Sequence, residues 1–226
     1  MASSLRQCVA GARDSTPMLV GAAPFGLIFG TLASGAGLTA GATLGMSAFV
    51  FAGSAQFIAL SLISGGAALP VIWLTTLVVN LRHALYSATL LPYARGWSLR
   101  WRWPLAFWLT DETFAVVEHR FRVAGANPWY QLGSSLAMYG NWLLWTALGL
   151  MLGHSLPNVA HWGLDFAMVG TFSALVALQL NKRPYLCAAL AAAAVALLCR
   201  GLPYKFDLLL ASASGVAVGL VLEKRA

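Results

Sequence analysis

Asn80-Leu81-Arg82-His83-Ala84-Leu85-Tyr86 lies late in a run, residues 67–91, that is otherwise almost wholly apolar. The polar side chains of this run are ordered. Thr76, Asn80, His83 and Ser87 follow one another at helical spacing and share one face. Thr75, Arg82 and Tyr86 form a second stripe beside the first. A helix surrounded by lipid cannot carry such a wedge, so it must turn toward protein or a wet cavity. Arginine at the centre of a membrane helix costs about 2.5–3.5 kcal/mol on insertion scales. Arg82 therefore needs a partner. It is either a structural cation satisfied by a carboxylate and carbonyls, or part of a substrate or proton pathway.

The rest of the chain agrees with a membrane setting. Of its 226 residues, 59% are hydrophobic and only 9% charged, against about 25% charged in soluble domains. Apolar runs of spanning length recur from Pro17 to Leu222 with short connections. The expected fold is an all-α polytopic membrane protein, a bundle of about six to eight transmembrane helices, some broken or re-entrant. Residues 1–16 read as a cytoplasmic or interfacial lead, and 17–222 as one transmembrane transport domain. No cleaved signal peptide is expected. The net charge of +7 gathers at helix ends, at Arg6 and Arg13, Arg95 to Arg102, Arg120 and Arg122, Lys182 and Arg183, Lys224 and Arg225. That pattern serves the lipid bilayer and topology, not nucleic acid. Cys8, Cys187 and Cys199 are isolated, with no metal-ligand spacing, and no cofactor is expected.

Taken in order, the first span holds Pro24-Phe25-Gly26 and a Gly26/Gly30 step, which permits either close helix packing or a mid-membrane break. The second, from Leu38 to about Gly65, contains Phe51-Ala-Gly-Ser-Ala-Gln-Phe57, where a broken helix would free backbone amides around a site. The third carries Arg82 and ends at Pro92. A loop, Tyr93–Trp103, alternates Trp97, Arg100, Trp101, Arg102 and Trp103 as an interfacial anchor. Pro104–Glu118 is short for a span, roughly 22 Å against about 30 Å of hydrocarbon, and has Thr110-Asp111-Glu112 at its centre. Those two acids are either the natural counter-ions for Arg82 or carboxylates lying near an interface. Tyr130–Gly153 reads as a plain span, His154–His161 as a loop, and Leu164–Leu180, Pro184–Leu198 and Pro203–Leu222 complete the bundle, the last with a Gly215/Gly219 packing step.

Phosphate loops, dinucleotide fingerprints, HExxH and GxSxG motifs are missing from the sequence, which argues against ATP-driven transport and against an enzyme. A Ser54–His83 dyad is the remote hydrolase alternative. The ordered set Pro24-Phe-Gly-Leu-Ile-Phe-Gly30, Met46-Ser47 leading into Phe51–Phe57, Asn80-Leu-Arg-His83 with Tyr86, and Thr110-Asp-Glu112 with Phe114 resembles the AzlC family, the large subunit of bacterial branched-chain amino acid exporters. The four motifs cover roughly residues 21–118. The resemblance implies efflux of valine, leucine and isoleucine, in some members methionine, across the bacterial inner membrane. It also implies a separately encoded, small AzlD-type membrane subunit, and homo-oligomers of the complex would use the same Ala/Gly-rich surfaces.

On this reading the amino-acid substrate lies among Pro24, Phe25, Gly26, Phe51, Gly53, Ser54, Gln56, Phe57 and Asn80. Amides at a half-helix start, with Ser54, would meet its carboxylate; carbonyls near Pro24 or Gly53, with Gln56, would meet its ammonium. The phenylalanines would line the aliphatic pocket. Arg82, His83, Asp111 and Glu112 would form the proton-coupling ion pair, one acid held by Arg82 and the other, preferably Asp111, exchanging the proton through His83. A passive channel and a non-transporting scaffold are the competing readings.

Overall fold

The computed structural model describes residues 2–155, 182–202 and 206–223, with single positions at 173, 177 and 180. Among them are ten helices and no strand: α1 Ala2–Asp14, α2 Thr16–Gly35, α3 Ala40–Phe49, α4 Gly53–Ser64, α5 Leu69–Ala94, α6 Leu99–Phe107, α7 Asp111–Ala124, α8 Pro128–Ser155, α9 Arg183–Leu198 and α10 Phe206–Glu223. Most of the loop expected at His154–His161 and of the span expected at Leu164–Leu180 lies outside the described residues. Two described helices, Thr16–Gly35 and Pro128–Gly153, are long and apolar enough to cross a membrane unbroken. The chain divides into two compact units, residues 1–66 with 79–162, and residues 67–78 with 163–226.

In the first unit α8 is the spine, touching α1, α2, α3, α6 and α7. Its start is set by Asn127, whose side-chain oxygen accepts from the Trp129 and Tyr130 amides, with Pro128 at the first helical position, where a missing N–H costs nothing. The contact with α2 is made backbone to backbone. A Cβ on Gly30 would land on the Thr146 carbonyl, and one on Gly149 would land on the Leu27 carbonyl. Across this seam Thr31 Oγ1 donates to the Gly149 carbonyl at 3.0 Å. Here the sequence expectation needs correction. There is no break at Pro24–Gly30: α2 runs unbroken through Pro24. The Gly26/Gly30 step is used for packing on α8, and Pro24 sits on the exposed side of α2, where one lost backbone bond does not interrupt the contact.

Residues 2–14 form a helix laid along the start of α8. A Cβ on Gly133 would strike the Cys8 carbonyl and one on Gly11 the Tyr130 carbonyl. Ser15 and Ser134, both buried, share a hydrogen bond of 2.6 Å. Tyr130 donates to Asp14 at 2.8 Å, and the Arg120 guanidinium stands 5.2 Å from the Tyr130 ring centre. The third span also differs slightly from expectation, since Pro92 lies inside α5 and the helix ends two residues later. In the second unit α9 and α10 pack through small residues, with Gly215 against Ala188 and Ala192.

Candidate functional site

Two helices of the first unit are interrupted. The interruption expected in the Phe51–Phe57 region is there: α3 stops at Phe49 and α4 starts at Gly53. Phe51 takes a left-handed backbone, φ 42°, a conformation that costs a bulky residue about 1–3 kcal/mol and needs support. The support is its buried ring, edge-on to Tyr139 with centroids 4.9 Å apart. The second interruption corrects the reading of a short span and an anchor loop. The basic aromatic stretch Leu99–Trp103 is helical, the first part of α6, and Trp108-Leu109-Thr110 then separates α6 from α7. This junction contains neither glycine nor proline. It is set by Thr110, extended and accepting from the Thr113 amide, with Asp111 and Glu112 in the first turn against the positive end of α7.

Arg82, on α5, ties the two restarted helices together. Its Nη2 donates to Ser54 Oγ at 2.7 Å, in the first turn of α4. Its Nη1 donates to Asp111 Oδ2 at 2.6 Å, at the first position of α7. Each helix start carries roughly half a positive charge, so a guanidinium between two of them would be repelled without the carboxylate. Asp111 supplies it, and Tyr86 donates to its other oxygen at 2.7 Å. Tyr86 is itself stacked on Phe114 at 4.5 Å, and the His83 ring meets it edge-on at 5.9 Å. Arg82 thus pairs with Asp111, the acid that the sequence reading preferred as the proton carrier. Both Asp111 oxygens are engaged, and by the same reasoning Glu112 is the acid left freer of the cation. Ser54 accepts from Arg82, and the His83 ring faces Tyr86; these contacts do not build a Ser54–His83 dyad.

Four other expected site residues, Gln56, Phe57, Gly53 and Gly26, are engaged in packing and internal hydrogen bonds. Gln56 is fully buried. Its amide nitrogen donates to Ser47 at 3.0 Å, and its oxygen accepts from Trp142 at 3.0 Å. Ser47 shares a further bond with Thr146 at 2.9 Å. Phe57 is buried with its ring edge-on to Phe29, Gly53 abuts the Trp142 ring, and Gly26 abuts Trp145. Phe25 is half-buried on α2. Asn80 Oδ1 is buried without a hydrogen-bond partner.

The sequence reading missed α8. Gln131, Ser135, Tyr139, Trp142 and Thr146 follow one helical stripe, and all but Ser135 bond to residues around the two interruptions. Tyr139 donates to the Ala48 carbonyl at 3.1 Å, near the end of α3. Gln131 donates to the Leu105 carbonyl at 3.3 Å, near the end of α6. These are carbonyls a helix end leaves open. The spacing was visible, but five polar or amphipathic residues diluted among leucines passed for a plain span.

Interrupted helices whose restarted halves converge on a half-buried cation fit a pattern of membrane transporters, where half-helix termini surround the binding site. The family described as AzlC protein matches residues 17–156, and the chain belongs to that family. An uncharacterized membrane protein of Helicobacter pylori J99 is 31% identical over 159 residues, 70% of this chain and 68% of the relative. Inner membrane protein YgaZ of Escherichia coli K12 is 25% identical, over 78% of this chain and 75% of its own length. The branched-chain amino acid transport protein AzlC of Bacillus subtilis 168 is 28% identical, over 69% of this chain and 61% of its own. No solved structure matches the chain.

Proposed function

We propose that this chain is a multi-pass, proton-coupled exporter of branched-chain amino acids in the bacterial inner membrane, working with a small AzlD-type membrane subunit. The observation that carries the transport reading is the Arg82 tie. A membrane helix retains arginine only where the cation is used or fully answered, and here it joins two half-helix starts that must separate or close if a solute is to pass between them. The substrate class comes from the name of the Bacillus subtilis relative; export, the small subunit and the inner membrane come from the family. The crossing number of six to eight belongs to the same proposal. α5, α3 with α4 and α6 with α7 taken as broken spans, and α9 and α10 supplement the two unbroken ones.

In this reading the amino acid lies between the junctions at 50–52 and 108–110, with Arg82 and Asn80 at its polar end and Phe25 and Phe51 toward its side chain. Gly26, Gln56 and Phe57 hold the walls. Pro24, on the exposed side of α2, has no contact role. Asp111 stays charged beside Arg82, and Glu112 carries the proton, with His83 as its relay. Vesicles containing the full chain with its small subunit, loaded with labelled leucine and given a pH gradient, are expected to move leucine uphill and saturably. Flux that follows only the leucine gradient would indicate a passive pore, and no flux a scaffold; either result ends the exporter reading.

A further inference from the structure

The two interruptions differ in how their polar groups are answered. Around the first, Gln56, Ser47, Trp142 and Thr146 satisfy one another, Tyr139 caps α3, and Ser54 is held by Arg82. Asn80 Oδ1 and Arg82 Nε on α5 and Arg102 Nε on α6 are buried without a partner, and around the second interruption so are two donors: Trp108 Nε1, in the junction itself, and Ser135 Oγ, on α8. They lie on the same seam. The last turn of α6 follows α8 from Gln131, which bonds the Leu105 carbonyl, to Tyr139, whose ring is 6.0 Å from that of Trp108. Ser135 falls one turn from each of these contacts and is completely buried. A buried unsatisfied donor costs about 1–3 kcal/mol, and native structures keep few without a reason. Here two fall beside the restart of α7, whose own start is already served by Thr110, which accepts from the Thr113 amide, and by the Glu112 carboxylate, which lies against its own amide and the Thr110 hydroxyl. The Asp111 carboxylate does not compete for the two donors. It turns toward α5, where Arg82 and Tyr86 occupy both oxygens.

An indole N–H can only donate, and a serine hydroxyl donates readily. Two donors without acceptors on one seam fit a carboxylate. We propose that Trp108 Nε1 and Ser135 Oγ receive the carboxylate of the transported amino acid, on the α8 side of the junction at 108–110. The assignment rests on the amino-acid transport reading. It moves the carboxylate end away from Ser54 and the first interruption to the second, and makes Trp108 and Ser135 specificity-determining residues. Compounds that keep the branched chain and the ammonium but lack the carboxylate should gain nothing from them.

The test compares leucine with 3-methylbutylamine, its decarboxylated analogue, as competitors for labelled leucine in vesicles containing the full chain and its small subunit. Trp108→Phe keeps an aromatic ring against Tyr139 and removes the N–H. Ser135→Ala removes one oxygen. Each is expected to weaken leucine affinity about tenfold, the size of a hydrogen bond to a charged group, and to leave the affinity for the amine unchanged. The preference for leucine over the amine then narrows by the same factor. If both variants bind leucine as the wild type does, the two donors meet water only and the proposal is wrong, while the transport reading stands. Equal weakening of both ligands would mark a structural role and also overturn it. Wild-type vesicles that neither bind nor move leucine would remove the transport reading and this proposal together. Ser135→Ala, the smaller change, decides the matter if Trp108→Phe does not fold.

Discussion

A guanidinium that gives one nitrogen to Ser54 and the other to Asp111 is planar and forked, and an ammonium is neither. Arg82→Lys keeps the charge but cannot span both helix starts, so leucine export is expected to fall at least tenfold while the protein still reaches the membrane; vesicle flux normalised to the amount of protein checks this. The two acids should separate cleanly. Glu112→Gln is expected to retain leucine counterflow and lose the response to a pH gradient. Asp111→Asn, which leaves Arg82 between two positive helix ends, should lose both. Gradient-driven transport that survives in both amides would refute the assignment. Tyr86→Phe retains the stack on Phe114 and removes one bond to a charged oxygen, about 1.5–3 kcal/mol, which a lowered unfolding temperature in detergent would register. That Arg82 needed a carboxylate was legible from one charge in an apolar run, and Thr110-Asp111-Glu112 was the evident source. Which acid answered it was not legible. Adjacent residues on a helix point about 100° apart, so the choice depended on where α7 begins, and that start was hidden in a junction lacking glycine and proline.

Among the helices, Pro24 permits a break in sequence and makes none, because the same segment offers Gly26 and Gly30 to α8. Once two backbones are in contact, the loss of one hydrogen bond on the far side is a small term beside the packing. The interruption before Gly53 was legible because small and polar residues cluster there. The framework role of Gln56 was not, since its partners Ser47, Trp142 and Thr146 come from distant parts of the chain. Gln56→Met, similar in shape, should strand the Trp142 N–H, leave Ser47 with only its Thr146 bond and destabilise the protein by about 2 kcal/mol. Leucine affinity in the folded fraction should stay put; a selective loss of affinity would restore Gln56 to the binding site. Gly30→Ala and Gly133→Ala should each lower thermal stability, because the added methyl meets a carbonyl that cannot retreat, an overpacking cost of about 1–3 kcal/mol. Gly140→Ala, with open space at the same atom, should not. Equal melting temperatures for all three would disprove the backbone-contact account.

At the scale of the whole molecule, the first helix is structural. Removing residues 2–14 strips α8 of the Gly11, Cys8 and Asp14 contacts and exposes Gly133 and Tyr130, so the shortened chain should fail to accumulate in membranes on an immunoblot; normal levels would show that α1 is dispensable. α7 connects that contact to the Arg82 tie. It carries Asp111 at its first residue and Arg120 near its other end, against the Tyr130 that bonds Asp14. Fourteen residues make a stiff bar of about 21 Å. If it pivots about its middle by ten degrees, its ends travel in opposite senses by roughly 2 Å each, enough to part a hydrogen bond at either one. The bar is a see-saw with a charged latch at each end, and neither latch can be lifted without loading the other.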